Sequence, residues 1–525
     1  MNERKCHIAM FPLFALSHLT LYTELANMLA KKGHVISFLV PKNTQYKLEP
    51  LNLYPKLFSF VPITVPDVEG LPQGVETTLD VPPSLRHLIM TAMDKTERNV
   101  ERILQDLKVD VVFFDFAHWM PSLCHRIRAK SVNYCAITPV TVAYIFSPAR
   151  QVDWNKGISD SELMHPPAGF PLSSIKFHAH ELRKFTAQSN RKVGCDMTFV
   201  ERIYIGLSQS NALACNASRE LEGPIIDYLQ TQLKKPVLLS GPTVTIPTNS
   251  TLAENLSSWL DRFNPGSVIY CAFGTECALT TAQMKELLLG FELTNMPFLA
   301  ALKPPVDVKT IEDAIPEGLL ERLEGRGLIT SELVQQNLIL KHKSIGCFVT
   351  HCGWASLCEG LVNNCELVLL PNGGDQIINA RLMSEVYRVG VEVQKGEEDG
   401  VFTKNDVFDA VKRVMDEDSE VGKEIRENHE KIKRFLVNKD IKSAHIDSFS
   451  QELQDITEAQ NSPIPPSHTQ RRTQIFYGVF YAQIVPSWHK QSEKNTVRSL
   501  SMRNKNIKGK RYRSVPQPTS GGVQA

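Results

Sequence analysis

The chain has 525 residues, of which 42% are hydrophobic, and it is long enough for two ordinary domains with sizeable cores. Its 58 Lys and Arg offset 57 Asp and Glu to a net charge of +1, so the overall charge does not suggest nucleic-acid binding. The 11 cysteines include neither a CxxC pair nor a Cys/His metal spacing, and we expect reduced thiols in the core.

The first predicted elements are a strand, a helix and a second strand. His7 to Leu13 is an apolar run typical of a buried parallel strand, a helix is predicted from about Leu19 to Lys32, and Val35 to Val40 is the next strand. This alternation predicts a doubly wound parallel sheet, in which ligands bind beyond the C-terminal ends of the strands. His18 follows the first strand and is therefore a candidate site residue, the alternative being a surface histidine in a loop.

The same N-terminal stretch lacks the pattern of a signal peptide. Arg4 and Lys5 precede the apolar run, but Pro12, Ser17 and His18 interrupt it and no small-residue cleavage site follows. The chain contains no stretch of about 18 apolar residues, so no membrane span is expected. We therefore expect a cytoplasmic location.

A second candidate site residue follows later in the first half. Gly70 to Thr78 is a loop rich in turn residues, Pro83 to Leu107 is predicted as helix, and Val111 to Phe114 is another buried strand. Asp115 stands at the end of that strand, where an unpaired carboxylate would be costly to bury. Asp115 is therefore a candidate partner for His18, the alternative being a solvent-exposed or capping aspartate.

The second half repeats the alternation of strands and helices. Ser267 to Phe273 and Phe298 to Leu302 are predicted as strands around a helix from Thr281 to Leu293. Charged helical sequence follows from Val407 to Val437, and a last helix is expected from Ala444 to Ala459. This pattern predicts a second domain of the same class as the first.

The C-terminal segment differs in composition from the rest of the chain. Residues 461–525 carry 11 Lys and Arg against the single acid Glu493, and they are rich in Ser, Pro, Gln and Asn with little periodicity. We therefore expect a disordered basic tail, to which no function is assigned.

The stretch from Leu333 to Gln376 places polar residues at fixed points between buried strands. Cys347 to Thr350 is predicted as a strand, a glycine turn follows, and a helix begins at Ser356. This arrangement forms a natural anion site, because the first amides of a helix have no partner within it. His351 and Ser356 would add donors, and Glu359 could accept from sugar hydroxyls. An ordinary buried strand–turn–helix is the alternative.

This stretch resembles the signature box of plant UDP-sugar-dependent glycosyltransferases. It spans 44 residues, from 333 to 376, and has the family's residues at Gln336, His351, Gly353, Trp354, Ser356, Glu359, Pro371, Asp375 and Gln376. The resemblance implies a donor-binding set of Thr275, Leu333, Val334, Gln336, His351, Gly353, Trp354, Ala355, Ser356, Glu359, Asp375 and Gln376.

Two residues depart from the family's box. Leu333 replaces the Trp on which the family stacks uracil, and Ala355 replaces its usual Asn. A leucine offers apolar contact but no π-face, so Leu333 predicts weak binding of the nucleotide.

The sequences around His18 and Asp115 are similar to the family's catalytic segments. The resemblance implies that His18 takes the proton of an acceptor hydroxyl, while Asp115 fixes the imidazole tautomer and stabilises the imidazolium. The loop from Gly70 to Thr78 resembles a loop of the subgroup that adds a second sugar to flavonoid and anthocyanin glycosides.

The resemblance implies a GT-B fold, in which two Rossmann-like α/β domains face each other across a cleft. We expect an acceptor-binding domain in residues 1–240, a UDP-sugar-binding domain in 241–440, a helix in 441–460 that crosses back to the first domain, and the tail in 461–525. The implied partners are a UDP-sugar and a small-molecule acceptor, with no metal, other cofactor or nucleic acid, and we expect a monomer.

An α/β fold of this kind raises three classes of function. The first is an inverting glycosyltransferase acting on a flavonoid, an anthocyanin or their glycosides, which His18 and Asp115 favour. The second is a catalytically weakened relative that binds UDP-sugar or flavonoid, which Leu333 and Ala355 favour. The third, a nucleotide-dependent oxidoreductase, lacks support because no GxGxxG follows the first strand.

Overall fold

The computed structural model describes residues 5–458 apart from 195, 243–250, 275, 276, 278 and 417. The tail predicted in residues 461–525 and the candidate donor residue Thr275 lie outside the described residues. Within them, the chain folds around two parallel sheets covered by helices, which is the α/β fold class expected from the sequence.

The first sheet contains seven parallel strands. They are β1 His7–Phe11, β2 Val35–Pro41, β3 Phe58–Ile63, β4 Val111–Phe114, β5 Lys130–Cys135, β8 Ala212–Cys215 and β9 Val237–Leu239, and a separate antiparallel ribbon pairs β6 Lys192–Val193 with β7 Met197–Thr198. The order in the sheet is β3-β2-β1-β4-β5-β8-β9. The helices are α1 Leu16–Lys31, α2 Gln45–Leu48, α3 Arg86–Asp94, α4 Glu97–Leu107, α5 Met120–Ile127, α6 Pro139–Phe146, α7 Asp160–Leu163, α8 Ala179–Ser189, α9 Phe199–Gln209 and α10 Arg219–Leu233.

The second sheet contains six parallel strands. They are β10 Val268–Ala272, β11 Phe298–Ala301, β12 Gly327–Thr330, β13 Ile345–Thr350, β14 Glu366–Leu369 and β15 Gly390–Glu392, in the order β12-β11-β10-β13-β14-β15. The helices are α11 Glu254–Leu260, α12 Thr281–Thr294, α13 Leu319–Leu323, α14 Gln336–Leu340, α15 Trp354–Leu361, α16 Gln376–Arg381, α17 Lys404–Met415 and α18 Glu420–Val437. A π-helical turn, Leu382–Val386, extends α16.

The last helix, α19 Lys439–Glu458, packs against the first sheet although it follows the second in sequence. The ring of Phe449 stacks on that of Phe113 with 6.1 Å between centroids. Ser450 Oγ lies 2.8 Å from Nε2 of the buried His34. The helix therefore ties the end of the chain to its N-terminal half.

Two predicted helices are each interrupted in the structure. The helix expected from Pro83 to Leu107 breaks between α3 and α4, where the Thr96 hydroxyl donates to the carbonyl of Met93 at 2.6 Å. The helix expected from Val407 to Val437 breaks between α17 and α18, where Ser419 caps the second helix. Ser and Thr side chains compete with the backbone for hydrogen bonds, which favours helix ends at such positions.

The described residues also show the state of the cysteines and the character of the helices. All ten described cysteines are free and buried in the core. Among the described residues, none of the helices combines the length and the apolar character needed to cross a bilayer.

Candidate active site

Strand register brings His18 and Asp115 together. β1 and β4 are parallel neighbours that pair Phe11 with Phe114, so the residues after both strands emerge at the same edge. The sequence predicts that helix α1 starts at Leu19, but the structure starts it at Leu16 and places His18 in its first turn. His18 Nδ1 lies 2.6 Å from Asp115 Oδ2, which agrees with the predicted pairing.

Asp115 is held from both sides. Its second carboxylate oxygen, Oδ1, accepts from the backbone N–H of Leu13 at 2.8 Å, and its carbonyl accepts from Asn133 Nδ2 at 3.2 Å. The aspartate side chain is 8% exposed, whereas that of His18 is 27% exposed. A buried carboxylate that accepts from Nδ1–H leaves Nε2 as the basic nitrogen, which is the tautomer a general base requires.

The loop from Gly70 to Thr78 lies against the segment that precedes His18. The N–H of Thr78 donates to the carbonyl of Phe14 at 2.9 Å. Glu76 is buried and accepts from the backbone N–H of Asn43 at 3.0 Å and from the hydroxyl of Thr44 at 2.9 Å. The loop is therefore anchored next to the histidine.

In the second half, the His351 ring is wedged between two glycines. A Cβ atom on Gly353 would lie 2.7 Å from Nε2 of the ring, and one on Gly274 would lie 3.1 Å from Cε1. Desolvation lowers the pKa of His351 to about 4, so the imidazole is neutral at pH 7. Its Nδ1 is buried and has no hydrogen-bond partner among the described residues.

The turn after β13 leads directly into α15. Gly353 is the N-cap residue, and no side chain caps the helix there. Ala355 is exposed in the first turn of the helix. Open amides at a helix N-terminus favour an anion such as a phosphate.

Gln336, Ser356 and Glu359 form one hydrogen-bonded group. Gln336 Nε2 donates to Ser356 Oγ at 3.2 Å and to Glu359 Oε2 at 2.7 Å, and its Oε1 accepts from the hydroxyl of Tyr270 at 3.4 Å. Burial raises the pKa of Glu359, and the hydrogen bond from Gln336 opposes that shift. The glutamine thus fixes the two side chains expected to meet the donor.

Asp375 is buried near enough to His18 of the first half for the two groups to interact electrostatically. Burial raises the pKa of Asp375, while the hydrogen bond from Asn379 and the electrostatic effect of His18 lower it. Gln376 Oε1 accepts from the backbone N–H groups of Asn372 and Gly373 at 3.0 and 3.3 Å. The amide oxygen is therefore engaged with its own loop, and a sugar would meet the NH₂ group.

Asn379 is a residue of this site that the sequence analysis missed. It is fully buried, and its Nδ2 donates to Asp375 Oδ2 at 2.9 Å and to the carbonyl of Cys352 at 3.0 Å. Its Oδ1 accepts from the hydroxyl of Thr138, in the first half, at 3.1 Å. The only sequence signal is its position one turn after Asp375 on α16.

The remaining candidate donor residues lie in different environments. Leu333 is 79% exposed, and Val334 is partly buried against the core. Trp354 is buried, and its indole N–H donates to the carbonyl of Asn216 in the first half at 3.3 Å. The Trp354 side chain thus contacts the first half, and its backbone forms part of the turn.

The described residues do not include a group of three His, Cys, Asp or Glu side chains placed to hold a metal ion. The donor-side groups described above are neutral amides, a neutral imidazole, hydroxyls and carboxyls. They can bind a phosphate through N–H donors and a sugar through carboxyl and amide groups.

The chain is similar to known proteins in both sequence and structure. A family model described as UDP-glucoronosyl and UDP-glucosyl transferase matches residues 321–431. The chain is 57% identical over 450 residues to an anthocyanidin 3-O-glucoside 2''-O-glucosyltransferase of Ipomoea nil, covering 86% of this chain and 98% of the relative. It is also 55% identical over 456 residues to a cyanidin 3-O-galactoside 2''-O-xylosyltransferase of Actinidia chinensis var. chinensis. That match covers 87% of this chain and 100% of the relative.

Solved structures show the same fold at lower sequence identity. A UDP-glucosyltransferase from Polygonum tinctorium aligns with a TM-score of 0.69 at 22% identity, over 87% of this chain and all of the other. A UDP-glucose:anthocyanidin 3-O-glucosyltransferase in complex with UDP aligns with a TM-score of 0.68 at 23% identity, over the same shares. These are two-domain GT-B glycosyltransferases, and the fold is therefore GT-B.

Proposed function

The chain belongs to the family of plant UDP-glycosyltransferases, and on that premise we propose that it transfers a sugar from a UDP-sugar to a sugar hydroxyl of an anthocyanin or flavonoid glycoside. Relatives named for glucosyl and for xylosyl transfer to the 2'' oxygen of such glycosides match nearly their whole length. The acceptor class follows from these relatives and from the anchored Gly70–Thr78 loop beside His18.

In the proposed reaction, the acceptor oxygen attacks the anomeric carbon of the donor sugar. Nε2 of His18 takes the hydroxyl proton, a new C–O bond forms, and the bond from the anomeric carbon to the diphosphate breaks with inversion. The bonding pair leaves with UDP. Asp115 keeps Nδ1 protonated and stabilises the imidazolium that results.

We assign the donor to the second half of the chain. The amides at the start of α15 and the N–H of His351 would meet the diphosphate, while Asp375, Gln376 and Glu359 would bind sugar hydroxyls. In this assignment no metal is needed to stabilise the leaving group. The halves correspond to an acceptor domain in residues 1–240 and a donor domain in 241–440, with 441–460 returning to the first.

The observation that carries the proposal is the 2.6 Å contact between His18 and Asp115 at the cleft. Purified protein should be incubated with UDP-glucose, UDP-xylose, UDP-galactose or UDP-rhamnose and with cyanidin 3-O-glucoside, cyanidin 3-O-galactoside or the free aglycone. Mass spectrometry should detect one added sugar on a glycoside. The His18→Ala variant should lose transfer by about 10²- to 10⁴-fold while retaining UDP binding.

Two outcomes would contradict this assignment. Product formed only on the free aglycone would exclude sugar-on-sugar transfer. Intact UDP-sugar binding without any transfer by the wild type would instead indicate a non-catalytic binding protein.

A further inference from the structure

Helix α8 belongs to the first half but contacts two loops and helix α16 of the second. His180 Nδ1 lies 2.9 Å from the carbonyl of Glu397, and Arg183 Nη1 donates to Glu398 Oε2 at 3.3 Å. Glu181 accepts from Arg381 Nη2 with both carboxylate oxygens at 3.0 Å. The helix therefore spans the junction of the two halves next to the donor side of the cleft.

The second loop contacted by α8 is the one that precedes Asp375 and Gln376. Lys184 Nζ donates to the carbonyl of Asn372 at 2.5 Å and to its Oδ1 at 2.7 Å. A Cβ atom on Gly373 would lie 3.6 Å from both Lys184 Cε and Gln188 Oε1. The Lys184 side chain as a whole is exposed, but its ammonium lies close enough to the loop for desolvation to lower its pKa.

Asn372 connects this loop to the one that follows β10. Its Nδ2 donates to Cys277 Sγ at 3.1 Å, and its backbone N–H donates to Gln376 Oε1 at 3.0 Å. Cys277 lies three residues after Gly274, in the loop that follows β10. One asparagine thus joins a lysine of the acceptor half, a cysteine of the loop after β10 and the side chain of Gln376.

We propose that Lys184 is a positioning residue for the donor sugar: by holding both oxygens of Asn372 it fixes the loop that orients Gln376 and Asp375. This inference rests on the proposed function, because it concerns the same donor site. Lys184 acts through Asn372 and needs no contact with the donor itself. The acceptor half thereby contributes to recognition of the sugar, whereas the nucleotide is held by the second half alone.

Loss of the Lys184 ammonium should weaken the binding of UDP-sugars but not the binding of UDP. Loss of the ammonium frees the Asn372 carbonyl and amide, so the loop and the Gln376 side chain gain freedom where the sugar binds. UDP has no sugar at that position, and its affinity should not depend on Lys184. A merely structural role in holding the two halves together would change both affinities alike.

The test compares UDP-glucose and UDP-xylose with UDP by calorimetry, in the wild type and in Lys184→Met, which keeps the apolar stem. The affinity for the UDP-sugars should fall about three- to tenfold, which is less than for direct loss of a charge-assisted hydrogen bond because Lys184 acts through Asn372. The affinity for UDP should change by less than about twofold. Steady-state kinetics should show the same rise in KM for the UDP-sugar. Lys184→Arg should recover most of the loss, because it retains a cationic donor.

Two further variants make the result specific. Arg183→Met removes a different contact of α8 with the second half, the one to Glu398. This variant should leave the affinities for UDP and for the UDP-sugars unchanged. Asn372→Ala should weaken UDP-sugar binding, and adding Lys184→Met to it should produce no further loss.

Equal losses for UDP and UDP-sugar in Lys184→Met, or no loss in either, would overturn the inference. These binding measurements do not depend on transfer. If the wild type forms no product, the proposed function is refuted. Calorimetry would still decide the role of Lys184 in that case.

Discussion

The carboxyl of Glu222 is buried where the two halves of the chain meet. The residue is 1% exposed at a kink in α10. Burial raises its pKa from the ordinary 4.5 to about 8, with the backbone of Ser218 opposing the shift. Its charge also influences the thiol of Cys358 on α15, in the second half.

The raised pKa fixes the sign of a pH dependence. Between the unfolded pKa of 4.5 and the folded pKa of about 8, the folded state binds the proton and the unfolded state does not, so stability falls as pH rises. Each pKa unit corresponds to about 1.36 kcal/mol, and from pH 6 to pH 7.5 this group should therefore cost about 2 kcal/mol. The Glu222→Gln variant has no titrating group at this position. Its free energy of unfolding relative to that of the wild type should therefore increase over this pH range by the same amount.

Thermal unfolding of the wild type and Glu222→Gln at pH 6 and pH 7.5 measures this difference. The variant's advantage in Tm should increase by about 4–8 °C at the higher pH, from the scaling of Tm with free energy in domains of this size. Glu427→Gln, which removes an exposed glutamate on α18, serves as the control and should show the same difference at both pH values. An advantage of Glu222→Gln that is constant or decreases with pH would refute the reasoning.

Three substitutions test the site itself. Asp115→Asn should lower kcat by about 10²-fold or more, because the imidazolium of His18 loses its charged partner; unchanged kinetics would make Asp115 merely structural. Leu333→Trp should tighten UDP binding several-fold by calorimetry, since base stacking contributes about 1–3 kcal/mol, and weaker binding would show that this exposed side chain does not meet uracil. Asn379→Leu should raise KM for the UDP-sugar and lower Tm, because Asp375 and the Thr138 hydroxyl lose a buried partner; a normal KM would contradict the role of Asn379.

Apolar patterning predicted β1, β2 and β4 in the first sheet and β10, β11 and β13 in the second, but not β5 beside β4. Val111–Phe114 has the same bounds in prediction and structure, because a run buried on both faces is apolar throughout. β3, at the edge of the first sheet, was missed because the exposed Ser59 and Pro62 interrupt its apolar residues.

The sequence also determined the pairing of His18 with Asp115. Both residues follow apolar strands, and adjacent parallel strands end at the same edge of a sheet, so the local pattern carried the information. The family resemblance supplied the catalytic roles of the two residues and the candidate donor-binding residues of the second half.

Only the tertiary structure decided which polar residues join the two halves. Asn379 and Thr138 are 241 residues apart, and Lys184 and Asn372 are 188 residues apart. Periodicity reports whether a residue is buried in its own element, but it contains no information on how two separately folded sheets are oriented. These contacts arise from the packing of α8 and α16 across the cleft, and so the residues that position Asp375 and Gln376 became visible only in the folded chain.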